Sequence, residues 1–226
     1  MILLTPMMRT SPLTAWFSDA QRVQGMLDFE AALARAQVEC VLVPQAALKS
    51  IIESCRHENI DFAALGQAAA SAGNLAIPLV KQLTARVKQR DDAAARYVHW
   101  GATSQDAIDT GFILQLRGAL EETDSLLRQL LDALAHQAAR YEDTVMPGRT
   151  WMQHALPVTF GLKLAGTLDA LLRWQVRLRE MRSRVLALQF GGAAGTRDSL
   201  KTQAPRIAGA LAKTLDLQLP DAPWHS

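Results

Sequence analysis

Two long stripes of apolar side chains constrain the fold of this chain more than any other feature. Both keep the spacing of three or four residues that places side chains on one face of an α-helix. Each would cover about 30 residues, or roughly 45 Å at 1.5 Å per residue. The pattern therefore predicts two long antiparallel helices, joined by a loop at Glu142–Pro157. The first stripe comprises Phe112, Leu116, Leu120, Leu127, Leu130, Leu134, Ala138 and Tyr141, and the second comprises Phe160, Leu164, Leu168, Leu171, Trp174, Leu178, Met181, Val185 and Leu188.

Shorter helices are predicted on both sides of these stripes. Ser18 followed by Gln21 forms a capping box, which predicts a helix that runs to about Cys40. A strand pattern of useful length is missing, so the chain is expected to be all-α. The remaining helix start and stop signals predict helices from Pro44, from Asp61 to Gly73, from Pro78 to about Arg90, and through Ile207, Leu211 and Leu215.

Composition allows a globular core and gives little support for nucleic-acid binding. Of 226 residues, 49% are hydrophobic and 20% charged, with a net charge of +2. The stretch from Arg149 to Arg197 contains eight Lys and Arg residues and only two acids. This local positive charge suits an anionic ligand, or it belongs to a solvated helix face. Cys40 and Cys55 fit no metal or redox motif, which favours a reducing cytoplasm. The start at Met1–Leu4 is too short for a signal peptide, and a membrane span is not expected.

The first of three polar loops is His99–Asp106, which precedes the first long helix. Gly101 permits a tight turn, and the hydroxyls of Thr103 and Ser104 stand where the helix begins. A helix N-terminus with nearby hydroxyls can bind a carboxylate or a phosphate. Alternatively, Thr103 and Asp106 form a helix cap without any ligand.

Two further loops carry polar or small residues. Residues 148–157 bring together Arg149, Thr150, Gln153 and His154. Arg149 can pair with a ligand carboxylate or with a structural acid, and His154 can transfer protons or act as an ordinary hydrogen-bonding residue. The third loop, Phe190–Arg197, contains three glycines that allow close backbone approach to a ligand or another helix, or simply break a helix. Metal-ligand spacing is absent from the sequence.

The three loops, taken in their order along the chain, resemble the conserved motifs of the fumarase/aspartase superfamily. The matching motifs are His-x-Gly-x-Thr-Ser-x-Asp from His99, Gly-Arg-Thr-x-x-Gln-x-Ala-x-Pro from Gly148, and Gly-Ala-x-Gly-Thr ending at Thr196. Together with Ala72–Val80, they are similar to the branch of bacterial 3-carboxy-cis,cis-muconate cycloisomerases. Adenylosuccinate lyases usually carry His at the position of Trp151, which argues against an ordinary lyase of that type.

The resemblance implies a fold, an assembly and a reaction. The implied fold is all-α, with a small N-terminal helical domain over residues 1–109 and an incomplete central helix bundle over 110–226. The implied assembly is a cytoplasmic homotetramer whose active sites are shared between subunits, without a cofactor or metal. The implied reaction is lactone formation from a small polycarboxylate, 3-carboxy-cis,cis-muconate.

Site residues follow from the same resemblance. His154 is the candidate general acid, with His99 as a second candidate. Candidate substrate ligands are Thr103, Ser104, Arg149, Thr150, Gln153 and Asn74, and the hydroxyl and amide groups among them can stabilise an enediolate.

The family's serine-containing loop has no counterpart in the sequence, so the chain is expected to be the N-terminal part of a longer enzyme. Two other hypotheses stay open. The parent protein could be a sister lyase of the superfamily, similar to adenylosuccinate lyase. The chain could also be a helical assembly fragment without catalysis. Nucleic-acid binding through Arg173–Arg184 is disfavoured because no aromatic platform accompanies these residues.

Overall fold

Helices form most of the chain, as the apolar periodicity predicts. The structure, a computed structural model, describes residues 11–225, and the signal-peptide prediction for Met1–Leu4 lies outside this range. The all-α class is confirmed, with one small sheet added. In chain order the elements are α1 (Leu13–Trp16), α2 (Asp19–Glu39), α3 (Gln45–Ser54), α4 (Phe62–Ala72), α5 (Ala76–Arg90), α6 (Asp92–Ala95), α7 (Ser104–Arg140), β1 (Val145–Thr150), β2 (Gln153–Thr159), α8 (Phe160–Val185) and α9 (Ala204–Leu215), with 3₁₀ turns at His57–Asn59 and Asp198–Gln203.

Capping residues explain where the early helices begin and end. The Ser18 side chain accepts a hydrogen bond from the Gln21 N–H at the start of α2. Asp61 accepts from the Ala64 N–H at the start of α4, and Gly73 ends α4 with a left-handed φ of 74°. Glycine adopts that conformation at little cost because it has no Cβ. The predicted caps at Ser18, Asp61 and Gly73 are confirmed. Only half of the predicted capping box forms, because the Ser18 N–H donates to the Ala15 oxygen and not to the Gln21 side chain.

Contacts divide the chain into two compact units. The first contains the described residues of Met1–Gly118 and Ser183–Ser226, and the second is Ala119–Arg182. Residues of α7 and α8 belong to both units because each helix continues across a boundary. The predicted division of the chain into a helical domain over residues 1–109 and an incomplete helix bundle over 110–226 remains a prediction.

The core of the first unit lies around α2. Phe29 on α2 is fully buried, as are Ile207 and Leu211 on α9, which packs against α2. Where α2 crosses α7, a Cβ on Gly25 would lie 2.5 Å from the carbonyl oxygen of Gly111. This close backbone approach sets the start of α7 directly on the core. The loop that precedes α7 is therefore held on a buried support.

The second unit buries few side chains. Gly161 at the start of α8 lies so close to α7 that a Cβ would be 2.6 Å from the Ala138 oxygen. Large apolar side chains of α7, of the two strands and the turn between them, and of α8 are instead left in contact with solvent. These are Leu126, Leu130, Val145, Trp151, Met152, Leu156, Leu162, Leu172, Trp174 and Val176, each at least 40% exposed.

A β-hairpin replaces most of the predicted loop between the long helices. Strands β1 and β2 pair antiparallel, with Thr150 opposite Gln153. The prediction that the chain lacks useful strands was wrong here. Both strands are largely exposed, so they lack the alternation of apolar and polar residues that marks a half-buried strand. The turn residues, Trp151 and Met152, also differ from the Asn-Gly or Asp-Gly sequence that signals a two-residue hairpin.

Candidate active site

The centre of the site is a buried carboxylate that joins the first and third loops. Asp106, on the first turn of α7, is completely buried. It accepts hydrogen bonds from the N–H groups of Thr103 (3.0 Å), Gly191 (2.8 Å) and Gly192 (2.9 Å), and from Nε2 of Gln189 (3.0 Å). Four donors match the acceptor capacity of one ionised carboxylate. The two loops are thus fixed to each other through a single side chain.

The bond to Thr103 is half of a capping box. Asp106 is the third residue of α7, and its carboxylate reaches back to the N–H of the residue that precedes the helix. The capping interpretation is therefore confirmed for Asp106. This cap uses the Thr103 N–H and not the hydroxyls of Thr103 and Ser104, which are half-buried at the helix start. Capping and ligand binding are compatible at this loop.

Gln189 extends the buried network away from Asp106. Its N–H and C=O both bond to the Thr110 hydroxyl, at 3.1 and 2.8 Å. Its side-chain oxygen accepts from the N–H groups of Trp224 and His225, at 2.9 and 3.0 Å. Since its Nε2 binds Asp106, every polar group of this fully buried residue has a partner. Such a satisfied network gives the loop a single well-defined position.

The glycines of the third loop serve this anchoring. Gly191 and Gly192 direct their N–H groups to Asp106, so the close backbone approach predicted for this loop is made to α7. Gly192 and Gly195 have φ angles of 67° and 78°, where a side chain would be strained. The N–H of Arg197 then donates to the Gly191 oxygen (2.9 Å) and closes the loop.

Helix α2 holds the first loop from the other side. Nδ1 of His99 lies 2.6 Å from Oε1 of Glu30, which is 3% exposed. Gln37, also buried, donates from Nε2 to the Trp100 oxygen at 2.5 Å. His99 has a φ of 60°, a left-handed conformation that is uncommon for a residue other than glycine. The loop therefore has a defined and strained backbone.

Electrostatics favour the charged form of His99. Burial lowers the pKa of His99, but the charge and the hydrogen bond of Glu30, assisted by the charge of Asp106, outweigh it and raise the pKa above its ordinary value. A protonated imidazole gives this loop a positive charge that suits a carboxylate ligand.

The hairpin arranges the four predicted residues of the second loop as two cross-strand pairs. Arg149 stands opposite His154, and Thr150 stands opposite Gln153. Directly opposed residues share a face of a hairpin, and neighbours along a strand point to opposite faces. One face thus combines a guanidinium with an imidazole, and the other combines a hydroxyl with an amide. All four residues are exposed.

Gly148 and the turn shape the hairpin. Between Pro147 and Arg149 the register shifts, and a Cβ on Gly148 would lie 2.5 Å from the Leu156 oxygen. At the tip, Trp151 and Met152 have φ angles of 50° and 60° and are 95% and 93% exposed. Two left-handed residues form a type I′ turn, which fits the twist of paired strands. The chain thus holds two bulky side chains in solvent on a strained turn.

An open cleft of about 590 Å³ lies on the second unit beside β1. Its lining combines the cations Arg149 and Lys163 with apolar side chains. It is lined by Met146, Pro147, Gly148, Arg149, Val158, Leu162 and Lys163. The two cations and the apolar lining make this cleft suitable for an organic anion.

Asn74 lies apart from these loops in sequence and has a local structural role. Its side-chain oxygen accepts from the Ile77 N–H at 3.0 Å, which supplies a cap for α5. The structure thus places His99, Thr103 and Ser104 in one anchored loop, and Arg149, Thr150, Gln153 and His154 on one hairpin. The substrate-binding role of Asn74 remains a prediction.

Sequence reasoning missed the residues that anchor the loops. The position of Glu30 could have been recognised as buried, because this acid lies on the face of α2 that also contains Met26 and Leu33. Gln189 and Thr110 carried none, because a buried amide or hydroxyl cannot be told from an exposed one by spacing. Asp106 was recognised as a cap, but its bonds across 85 residues to Gly191 were not foreseen.

Within residues 11–225, no three or more His, Cys, Asp or Glu side chains are grouped as ligands of a metal ion. The helices of that same part of the chain include none that is long and apolar enough to cross a bilayer.

Residues 7–225 match the family described as lyase, which spans nearly the whole chain. The chain belongs to this lyase family of the fumarase/aspartase superfamily. It is 56% identical over 216 residues to a 3-carboxy-cis,cis-muconate cycloisomerase of Pseudomonas aeruginosa, a match that covers 96% of this chain and 47% of the relative. A nitrosuccinate lyase of Streptomyces davaonensis is 38% identical, over 99% of this chain and 48% of its own length.

Solved structures of the family agree with the fold. The crystal structure of the 3-carboxy-cis,cis-muconate lactonizing enzyme from Pseudomonas putida superimposes with a TM-score of 0.94 at 53% identity, covering 96% of this chain and 49% of that one. The chain thus spans about half the length of the curated relatives it matches. The predicted resemblance, to the superfamily and to its cycloisomerase branch, is confirmed.

Proposed function

We propose that this chain is the N-terminal half of a cycloisomerase that converts 3-carboxy-cis,cis-muconate to 4-carboxymuconolactone. This reaction belongs to protocatechuate degradation in the β-ketoadipate pathway. The observation that carries the proposal is the loop His99–Asp106, which Asp106 fixes beside the third loop. The 56% identity to the cycloisomerase of Pseudomonas aeruginosa supports the choice of reaction.

The bond changes define what the protein must do. One substrate carboxylate oxygen forms a C–O bond to a carbon of a C=C bond, and the π electrons move onto a neighbouring carboxylate as an enediolate. The nucleophile is already an anion and needs no base. Donors placed at the developing charge lower this barrier. Thr103 and Ser104 on the anchored loop, and Thr150 and Gln153 on one hairpin face, are the proposed donors.

The enediolate must then take one proton at carbon, and this requires a general acid. His154 is the proposed acid, with His99 as the other candidate. Arg149 lies across the strand from His154 and is the proposed partner of a substrate carboxylate. Each active site is proposed to combine loops of three subunits, so the hairpin and the anchored loop need not act on the same substrate molecule within one chain.

A completed enzyme tests the proposal. It consists of this chain joined to the C-terminal part of the Pseudomonas aeruginosa relative, starting where the match to this chain ends. Addition of 3-carboxy-cis,cis-muconate should give loss of the conjugated diene absorbance together with uptake of one proton per lactone formed. A completed enzyme that folds but leaves this substrate unchanged would exclude the cycloisomerase assignment.

A sister lyase is the second candidate, favoured by the 38% identity to the nitrosuccinate lyase. Such an enzyme eliminates a group from a succinate skeleton and releases fumarate. Adenylosuccinate and nitrosuccinate would therefore be assayed beside the muconate. Release of fumarate without lactone formation would move the assignment to this class, and inactivity with all three would favour a helical assembly fragment.

The proposed assembly is a homotetramer, and the proposed location is the cytoplasm. Exposed apolar residues on α8, such as Leu162 and Trp174, support burial against further copies or against the proposed C-terminal half. The two buried cysteines, Cys40 and Cys55, are free thiols, which suits a reducing compartment. Light scattering on the completed enzyme should give four times the mass of one chain.

A further inference from the structure

Glu30 is an acid in the centre of the core that none of the proposed steps uses. It lies on α2 next to the fully buried Phe29 and is itself 3% exposed. Its Oε1 binds His99, whereas its Oε2 is buried and has no hydrogen-bond partner among the described residues. An ionised carboxylate in such a place is costly unless a cation compensates for it. His99 is the residue in contact that can become that cation.

The backbone conformation at His99 accompanies this contact. His99 holds a φ of 60°, and its neighbour Trp100 is fixed to α2 through Gln37. Strained conformations of this kind persist where the surrounding structure determines them, and they cluster at binding and catalytic sites. Glu30 and Gln37 thus fix two consecutive residues of the loop from a single rigid helix.

The contact also selects one nitrogen of the imidazole. Glu30 approaches Nδ1, so Nδ1 carries the proton that is shared with the carboxylate, and Nε2 is left for other partners. The charged groups that face His99 are Glu30 on α2 and Asp106 on α7. Both are acids, and both raise the pKa of His99, which favours the doubly protonated ring, in which Nε2–H is a donor.

We propose that Glu30 is a positioning residue that holds His99 by Nδ1, so that the Nε2–H of His99 donates to a carboxylate of the substrate beside Thr103 and Ser104. The inference rests on the proposed function for the identity of the substrate. Its structural part, the control of His99 by Glu30, stands without it. Glu30 itself touches no reacting atom in this proposal.

NMR of the imidazole nitrogens in the unaltered 226-residue chain tests the structural part. His99 should show a hydrogen-bonded Nδ1–H and a pKa above the ordinary histidine value. A His99 ring that titrates at or below the ordinary histidine value, or that carries its neutral-form proton on Nε2, would overturn the proposal.

A matched pair of variants isolates the carboxylate. Glu30→Gln keeps the size and an acceptor oxygen but removes the charge, and Glu39→Gln makes the same change at an exposed position of the same helix. Glu30→Gln should lower the pKa of His99, and Glu39→Gln should leave it unchanged. If Glu30→Gln folds by circular dichroism and His99 titrates as before, the inference fails.

Kinetics of the completed enzyme test the link to the substrate. Glu30→Gln should reduce kcat/KM for 3-carboxy-cis,cis-muconate by about tenfold or more, the effect of one lost hydrogen bond to a charged group. The loss should grow as the pH rises, because the uncompensated ring deprotonates at lower pH. A uniform loss at every pH would contradict the positioning role. An inactive wild-type enzyme with the expected NMR result would instead count against the proposed function.

Discussion

The buried network and the hairpin place polar groups in opposite ways. Around Asp106 every donor and acceptor named above is paired inside the protein, and Asp106 itself is 0% exposed. On the hairpin, Arg149, Thr150, Gln153 and His154 are exposed, and the tip projects Trp151 at 95% exposure. The polar groups of the first region find their partners within this chain, whereas those of the second are exposed and available to a ligand or another protein.

This contrast suggests that the buried network contributes mainly to stability and the hairpin mainly to function. Buried polar groups stabilise one arrangement when all are satisfied, and removal of one leaves the others unpaired. Exposed polar groups on a hairpin contribute little to stability, so their identity is free to serve a ligand or a partner. Changes in the network should therefore act on folding, and changes in the hairpin should act on the reaction.

The largest expected effect is that of Asp106→Ala. Four donors, including the N–H groups of Gly191 and Gly192, would lose their acceptor in a buried site. The free energy of unfolding should fall by about 3–5 kcal/mol, because each unpaired buried donor costs about 1–3 kcal/mol and relaxation recovers part of the sum. Urea unfolding followed by circular dichroism measures this. Asp109→Ala, three residues further on the same helix, is the control.

Asp109 accepts a hydrogen bond from Gln105 at 2.6 Å, a local pair at i, i+4 that is half-buried. Pairs of this kind are worth about 0.2–0.5 kcal/mol, so this variant should unfold almost like the wild type. Equal destabilisation by both variants would mean that the network around Asp106 is not a special centre of stability.

A somewhat smaller effect is expected for Gly101→Ala in the anchored loop. Gly101 has a φ of 79°, and a Cβ there would lie 2.5 Å from Leu200. The left-handed conformation costs an alanine about 1–2 kcal/mol, and the clash with a packed leucine adds about 1–3 kcal/mol. We expect a loss of about 2–4 kcal/mol in thermal or urea unfolding.

Gly66→Ala provides the opposite case. Gly66 lies inside α4, and no atom lies within 4 Å of the position that a Cβ would take. Alanine is the better helix former by about 0.5–1 kcal/mol, so this variant should be more stable than the wild type. Two glycines with the same substitution should thus change stability in opposite directions, and a shared direction would contradict the structure.

The anchored loop and the hairpin also differ in how well the sequence predicts them. Caps at Ser18 and Asp61 and the two long helices follow from local patterns, because neighbouring residues determine them. The bonds of Asp106 to Gly191 and Gly192 join residues that are distant in sequence. Local patterns in one sequence do not show which distant residues pair. The hairpin was missed because its strands are exposed and its turn uses Trp151 and Met152.

The pair of Glu30 and His99 in the anchored loop predicts a pH dependence of the free energy of unfolding. Because the pKa of His99 is raised on folding, protonated His99 stabilises the folded state below the ordinary histidine pKa of about 6.5. This contribution should be lost as the pH rises from there through the raised pKa. The difference in unfolding free energy between the wild type and Glu30→Gln should therefore decrease over that window, and a constant difference would argue against the coupling.

A small change in stability, and the one that separates the two regions most clearly, is expected at the hairpin tip. Trp151 and Met152 both hold left-handed φ angles, which glycine and asparagine adopt at lower cost. Replacing them by Asn and Gly together should stabilise the hairpin by about 0.5–1 kcal/mol, seen as slower hydrogen exchange of the strand amides. If the strained tip serves the reaction, the same double variant of the completed enzyme should lose activity although its hairpin is more stable. Retained activity would mean that the tip is an ordinary turn, and that the functional part of the hairpin is limited to its paired residues such as Arg149 and His154.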